Sequence, residues 1–140
     1  MTPEEEKALL LRVVVRIAQS RLEKGGFAPF GATLGSSRDV QLLIPETAKT
    51  GTMTVELVDA YWKMQMARAI GSGEVRALCT VADVRETDGE KLVPGVFIHI
   101  EHCAGDAEDI LYRYAKLANA QIAFQEPRCG KTALQFFKVM

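Results

Sequence analysis

The sequence predicts one α+β domain in which two helices pack on one face of an antiparallel sheet. Three observations predict it. Apolar residues recur at helical spacing near the start of the chain and again near its middle. Between and after these stretches, short runs of alternating apolar residues are separated by turn residues, as antiparallel strands require. No repeat or linker divides the 140 residues, a common size for one domain. The expected element order is α-β-β-α-β-β-β-β, a two-layer arrangement with a sheet of about five to six strands.

The first helix is the clearest element. Thr2 can cap it, Pro3 suits the first helical position, and Glu5 completes a Thr-x-x-Glu capping box. Glu4, Glu5 and Glu6 stand where the helix dipole favours negative charge. Leu10, Val13, Val14 and Ile17 follow at helical spacing, and Gly25-Gly26 supplies the stop. A hairpin is expected next: Phe30, Ala32 and Leu34 alternate, as do Val40, Leu42 and Ile44, across a turn-rich Gly35-Ser36-Ser37-Arg38-Asp39. Pro29 suits a strand entry, and Pro45 closes the second strand.

Residues 54–72 read as the second helix. Leu57, Tyr61 and Met64 form one apolar row, with Val58, Trp62, Met66 and Ile70 beside it and Glu56, Asp59 and Lys63 on the polar stripe. So wide a face predicts either burial within the fold or contact with a partner. Two longer strands, residues 75–85 and 96–103, flank the turn signal Thr87-Asp88-Gly89-Glu90. The first is apolar on both faces and is expected at the centre of the sheet. Residues 107–118 fit either period, and the short Ala104-Gly105-Asp106 link favours a strand. Ile122 and Phe124 suggest a last strand, and Phe136 and Phe137 a docked tail.

Composition excludes several classes. Seventeen basic and eighteen acidic residues leave a net charge of -1 with no basic run, which argues against nucleic-acid binding. Hydrophobic residues at 48% argue against disorder. The apolar run from Ala8 to Val15 is broken by Arg12 and is too short to span a bilayer. An acidic start is unlike a signal peptide, and Cys79, Cys103 and Cys129 are too widely spaced for a CxxC knuckle. A cytoplasmic protein with buried thiols, no metal and no cofactor is the expectation.

Two strings could carry chemistry. On the strand 96–103, alternation places Phe97, His99, Glu101 and Cys103 on one face and His102 on the other. Neighbours on that face stand roughly 7 Å apart, too far for a Cys–His pair, which needs about 2.6–3.2 Å. The favoured reading is a partly buried strand whose His and Glu satisfy each other, or Arg113 across the sheet. The second string is Phe27-Ala28-Pro29-Phe30-Gly31-Ala32. Its aromatics could line a pocket with Gly31 open to a ligand, but filling of the core by Phe30 is favoured.

Pro29-Phe30-Gly31-Ala32 is similar to the first strand of nucleotide deaminases. The match stops there, because no zinc ligand precedes Glu56 and no Pro-Cys-x-x-Cys follows. Walker, GxGxxG, GxSxG and HExxH motifs are missing as well. Gly71-Ser72-Gly73 reads as a helix stop, and Gly130-Lys131-Thr132 lacks the earlier glycine of a phosphate loop.

Phe27-Ala28-Pro29-Phe30-Gly31-Ala32-Thr33-Leu34, the strand from Ala77 to Val84, and Ile98-His99-Ile100-Glu101-His102 with Gly105-Asp106-Ala107 together resemble a family of small bacterial proteins without established activity. The resemblance covers most of the chain after the first helix. It implies an extended segment after Glu101-His102 and offers no catalytic residue to carry over; Cys103-Ala104 departs from it. The element order also resembles roadblock and profilin-like domains, an analogy of topology that carries no function.

These readings favour a small non-enzymatic protein-binding or scaffolding module, a homodimer with Tyr61, Trp62 and Met66 as interface candidates. One alternative is an immunity protein that binds a toxin. Another is an enzyme with a pocket near Phe30, in which Gly31, His99, Glu101 and His102 would contact the ligand.

Overall fold

The computed structural model describes residues 1–44 and 55–137, with the side chains of 55–58 excepted. The elements run α1 (Pro3–Glu23), β1 (Phe30–Gly35), β2 (Val40–Leu43), α2 (Val55–Gly71), β3 (Val75–Asp88), β4 (Lys91–His102), β5 (Ala107–Lys116), β6 (Ile122–Phe124) and β7 (Arg128–Lys131). The fold is α+β, as the sequence predicts, with two helices and a seven-stranded antiparallel sheet among the described residues. Along the sheet the strands lie in the order β2-β1-β3-β4-β5-β6. The seventh, β7, shares the outer edge of β5 with β6: Tyr114 to Lys116 pair with β6, and Glu108 to Leu111 with β7. Its sequence, Arg128-Cys129-Gly130-Lys131, has no apolar alternation, and backbone pairing alone makes it a strand.

α1 begins as its capping residues dictate. Thr2 Oγ1 accepts the Glu5 backbone N–H at 3.1 Å while the Glu5 side chain reaches back to the cap. The helix stops where Gly25 and Gly26, at φ 124° and 129°, donate to the carbonyls of Leu22 and Arg21. Its buried stripe is Leu10, Val14, Ala18 and Leu22. These four meet Phe30, Ala32 and Leu34 of β1, Ala77, Cys79 and Val81 of β3, and Val96, Ile98 and Ile100 of β4.

α1 and the sheet form two layers, but the expected packing of both helices on one face does not hold, because α2 leans on the other face. Strand alternation turns Gly31 and Leu78 away from α1, and there Trp62 and Met66 pack in a second cluster with Leu78 and Phe137. The helix comes so close that a Cβ on Gly31 would lie 2.8 Å from Trp62 Cζ3 and 3.1 Å from the Cys79 carbonyl oxygen. Ser72 and Gly73 then close α2 with N–H bonds to Ala69 and Ile70, the stop expected from Gly71-Ser72-Gly73.

The β3–β4 hairpin is the spine of the sheet. Twelve residue pairs run from Ala77 and His102 to Asp88 and Lys91, around a two-residue loop that starts with Gly89 at φ 65°. β3 lies between β1 and β4, the central place its two apolar faces predict. Residues 107–116 are extended, so the ambiguous segment is a strand. The expectations for Pro45 and Thr54 lie outside the described residues.

Gly31→Ala is expected to lower stability by about 1–3 kcal/mol, the usual result of overpacking a filled core. Urea or thermal unfolding measures it; an unchanged midpoint would mean that α2 is not seated on Gly31.

Candidate functional site

β4 ends with three ionisable side chains in four residues, and the sheet divides them between its faces. His99 and Glu101 point to the α2 side and His102 to the α1 side, all of them buried. Burial of an ionised group is tolerated only where partners replace water, and each of the three has such partners.

Glu101 is fully buried and accepts a row of backbone N–H groups from the end of the chain. Gln135 N–H donates to Oε2 at 2.6 Å, Phe137 N–H to Oε1 at 2.9 Å, and Phe136 N–H lies 3.1 and 3.2 Å from the two oxygens. His99 Nε2 is 2.5 Å from Glu101 Oε2, and His99 Nδ1 is 2.7 Å from Asp109 Oδ1. With a carboxylate at each nitrogen, both ring N–H groups donate and the imidazolium is the fitting state. Burial works to lower the His99 pKa, but the bonds to Glu101 and Asp109 outweigh it and hold it above the ordinary histidine value. For Glu101, burial pushes upward, yet His99 and the three backbone donors keep the carboxyl below its usual range.

Asp109 is the outlet of this chain of groups. It sits directly opposite His99 in the β4–β5 pairing, and its side chain is 38% exposed. It opens onto a shallow cleft of about 310 Å³ lined by Phe97, Leu111 and the β7 residues Arg128 to Lys131.

On the α1 face, His102 Nδ1 accepts the Ala104 backbone N–H at 2.9 Å, so Nε2 carries the hydrogen and donates to Glu6 at 3.0 Å. Arg76 grips the same Glu6 through Nε and one terminal nitrogen, each at 3.2 Å. The Arg76 bonds pull the Glu6 pKa below its usual value against the opposing effect of burial, and His102 adds to the pull. Beside Glu6, the buried Lys7 bonds Asp106 and, at 2.8 Å, Glu108. Lys131 of β7 reaches the same two carboxylates at 2.7 and 3.1 Å. Glu4, Asp106 and Glu108 lie close enough together to hold a cation, but the Lys7 ammonium already occupies their centre.

The sequence candidates are therefore distributed over two faces. Phe30 is buried on the α1 face, with Phe27 edge-on at 5.4 Å and the Arg21 guanidinium 5.0 Å above its ring. Gly31 is on the other face beneath Trp62 and Met66. Phe30 pairs with Val81, itself opposite Ile98, four residues from His102, a separation of roughly 13 Å along the strand. The structure thus joins His99 to Glu101 and parts both from Phe30 and from His102. Arg113 serves neither histidine; it pairs with Glu86 and Asp88. Cys103 is exposed and Cys79 is buried, its thiol pushed up to about 12 by desolvation. Trp62 and Met66 are covered by the chain itself at 6% and 0% exposure, Tyr61 is half-buried, and Met64 projects outward at 55%.

Asp109 and Glu6 were not among the candidates, though both leave a signal. A tight turn around Ala104 places residue 109 opposite residue 99, and Glu6 heads the spacing-four row 6, 10, 14, 18, 22 that α1 buries. No family model matches the chain, and neither a curated protein nor a solved structure matches it. Among the described residues no helix is long and apolar enough to cross a membrane.

His99→Leu is expected to cost about 3–5 kcal/mol, because it leaves Glu101 as a buried charge without its cation. The pH dependence gives a second check. A raised histidine pKa stabilises the fold fully below the ordinary value of 6.5, and that contribution is lost as pH rises through the folded-state value. Urea midpoints of the wild type should therefore decline on this alkaline limb, and the limb should be missing in His99→Leu.

Proposed function

We propose that the protein is a non-enzymatic protein-binding module that acts as a homodimer, joined through the free edge of β2. The observation that carries this reading is the contrast between the two ends of the sheet. The end beyond β5 is split between β7 and the three-residue β6, and β7 presents Arg128 and Lys131, the charged blunting that discourages further strand pairing. The end at β2 reads Val40-Gln41-Leu42-Leu43-Ile44 without a charge. Leu42 is 39% and Ile44 45% exposed, and among the described residues no strand pairs with the outer side of β2.

A second copy suits this edge because the edge complements itself. An antiparallel pairing centred on Leu42 would set Leu42 against its own symmetry mate and Val40 against Ile44 on one face. On the other face it would set Gln41 against Leu43. On the first of these faces apolar residues thus oppose apolar residues, and on neither face do like charges meet. The hydroxyl of Tyr61 donates to the Ile44 carbonyl at 3.2 Å, which ties α2 to this end of the sheet and brings one of the expected interface residues beside it. The buried polar groups weigh against the enzyme alternative: His99, Glu101 and His102 spend their polar atoms on other groups of the same chain.

Sedimentation equilibrium at tens of micromolar should give twice the 15.4 kDa chain mass. Leu42→Lys, which places a charge on the edge without entering the core, should return the protein to a monomer with its circular dichroism unchanged. A wild-type protein that stays monomeric under these conditions would refute the proposal.

A further inference from the structure

Residues 132–137 cross the α2 face of the sheet without regular structure, yet their attachment is specific. Phe137 is 9% exposed in the cluster of Trp62, Met66 and Leu78, and Phe136 meets the His99 ring edge-on at 6.0 Å. Leu134 packs at the border of the same cluster. The segment starts from a backbone bond of Thr132 N–H to the Ala107 carbonyl at 3.1 Å, and at its far end the Glu101 carboxylate takes three successive N–H donors. A strand would spread such bonds over many carbonyls. Here they converge on the two oxygens of a single charged side chain.

We propose that residues 132–137 are a releasable strap, latched over the groove between α2 and β4 by the ionised Glu101 and opened when that charge is lost. Protonation would remove the charge and turn one carboxylate oxygen into a hydroxyl, leaving a weaker and smaller set of acceptors for the three N–H donors. Among the described residues, the groups that face the latch are few. From β4 comes His99, and from the strap the three N–H groups; β3 presents Leu78 opposite Glu101 and Thr80 opposite His99. From β5, Ala107 stands opposite Glu101 and Asp109 opposite His99. β7 places Gly130 opposite Asp109, and the nearby cations Arg128 and Lys131 are engaged by Glu86 and by Asp106 with Glu108.

This arrangement gives the latch two limits. Glu101 keeps its charge above its lowered pKa, so the strap stays closed until the pH falls through that value. His99 supports the charge while it remains protonated, so the hold weakens again as pH rises through the raised histidine value. What opens is an apolar groove floored by Leu78 and walled by Trp62 and Met66, the part of the sheet that the strap covers.

The full-length chain carries its own reporter, since Trp62 is the one tryptophan and lies in the strap's cluster. At neutral pH, Glu101→Gln should speed amide exchange at Gln135, Phe136 and Phe137 at least about tenfold, the loss expected of hydrogen bonds to a charged acceptor. It should also shift the Trp62 emission to the red, while the amides of β3 and β4 keep their protection. Phe137→Ser should give the same emission shift, and the double variant should add little to either. Unchanged exchange at the three amides in Glu101→Gln would overturn the proposal. If that variant fails to fold, acid titration of the wild type decides. Exchange at residues 135–137 through an opening that spares β3 supports the strap, and uniform exchange of strap and sheet overturns it.

Discussion

Two consecutive ionisable residues, Glu101 and His102, are fully buried at the end of β4, and a strand must turn them to opposite faces. Neither can enter a protein interior alone, because desolvation of an unpartnered polar or charged group costs several kcal/mol. Each therefore recruits an element remote in sequence. Glu101 draws in the backbone of residues 135–137, and His102 draws in Glu6 of α1, which in turn takes Arg76 of β3. The α2-side and α1-side attachments of the fold are thus set at one point of one strand. The twelve-pair hairpin of β3 and β4 supplies the rigid frame that holds this point.

The polar groups at this end of the sheet have a common logic. Glu6 and Lys7 are neighbours on the first turn of α1, buried and of opposite charge. Glu6 turns to His102 and Arg76, and Lys7 to Asp106 and Glu108 in the turn and strand that follow β4. The apolar stripe of α1 can tell the helix which face to bury, but apolar contact is non-directional. Directional bonds at the first turn fix where along the sheet that stripe stops. Geometry of this kind is better read as positioning than as stabilisation, since a buried ion pair often gains little over an apolar pair of the same volume.

Much of this was legible in the sequence, and the limits of legibility are physical. The caps of α1, the alternation of β1 and the Gly89 turn are local signals, written within a few residues of the structure they cause. Alternation also set His99 and Glu101 on one face and His102 on the other, and it argued against a Cys103–His99 dyad; Cys103 stands exposed just beyond β4. β7 left no trace, because a strand made by pairing at an edge needs no pattern of its own. Which face α2 would take was equally hidden. It depends on Gly31 leaving space on the far side of β1, a property of the sheet and not of the helix. The partners of Glu101 were out of reach for a further reason. They are backbone N–H groups more than thirty residues away, and any sequence offers those.

The wide apolar face of α2 finds its explanation in the same geometry. A helix above a sheet normally buries one stripe, yet Trp62 and Met66 are covered while Tyr61 and Ile70 are partly so. The sheet beneath offers Gly31 and Leu78, and the flank is covered by Phe137 and Leu134 from the end of the chain. The second half of that cover depends on three hydrogen bonds to one carboxylate, whereas the first rests on β1 and β3 at the heart of the sheet. The two halves of the α2 site therefore need not open together. A helix anchored from below and capped from the side by a separately held segment can expose its flank without leaving its seat, and in this chain the charge on Glu101 governs that flank.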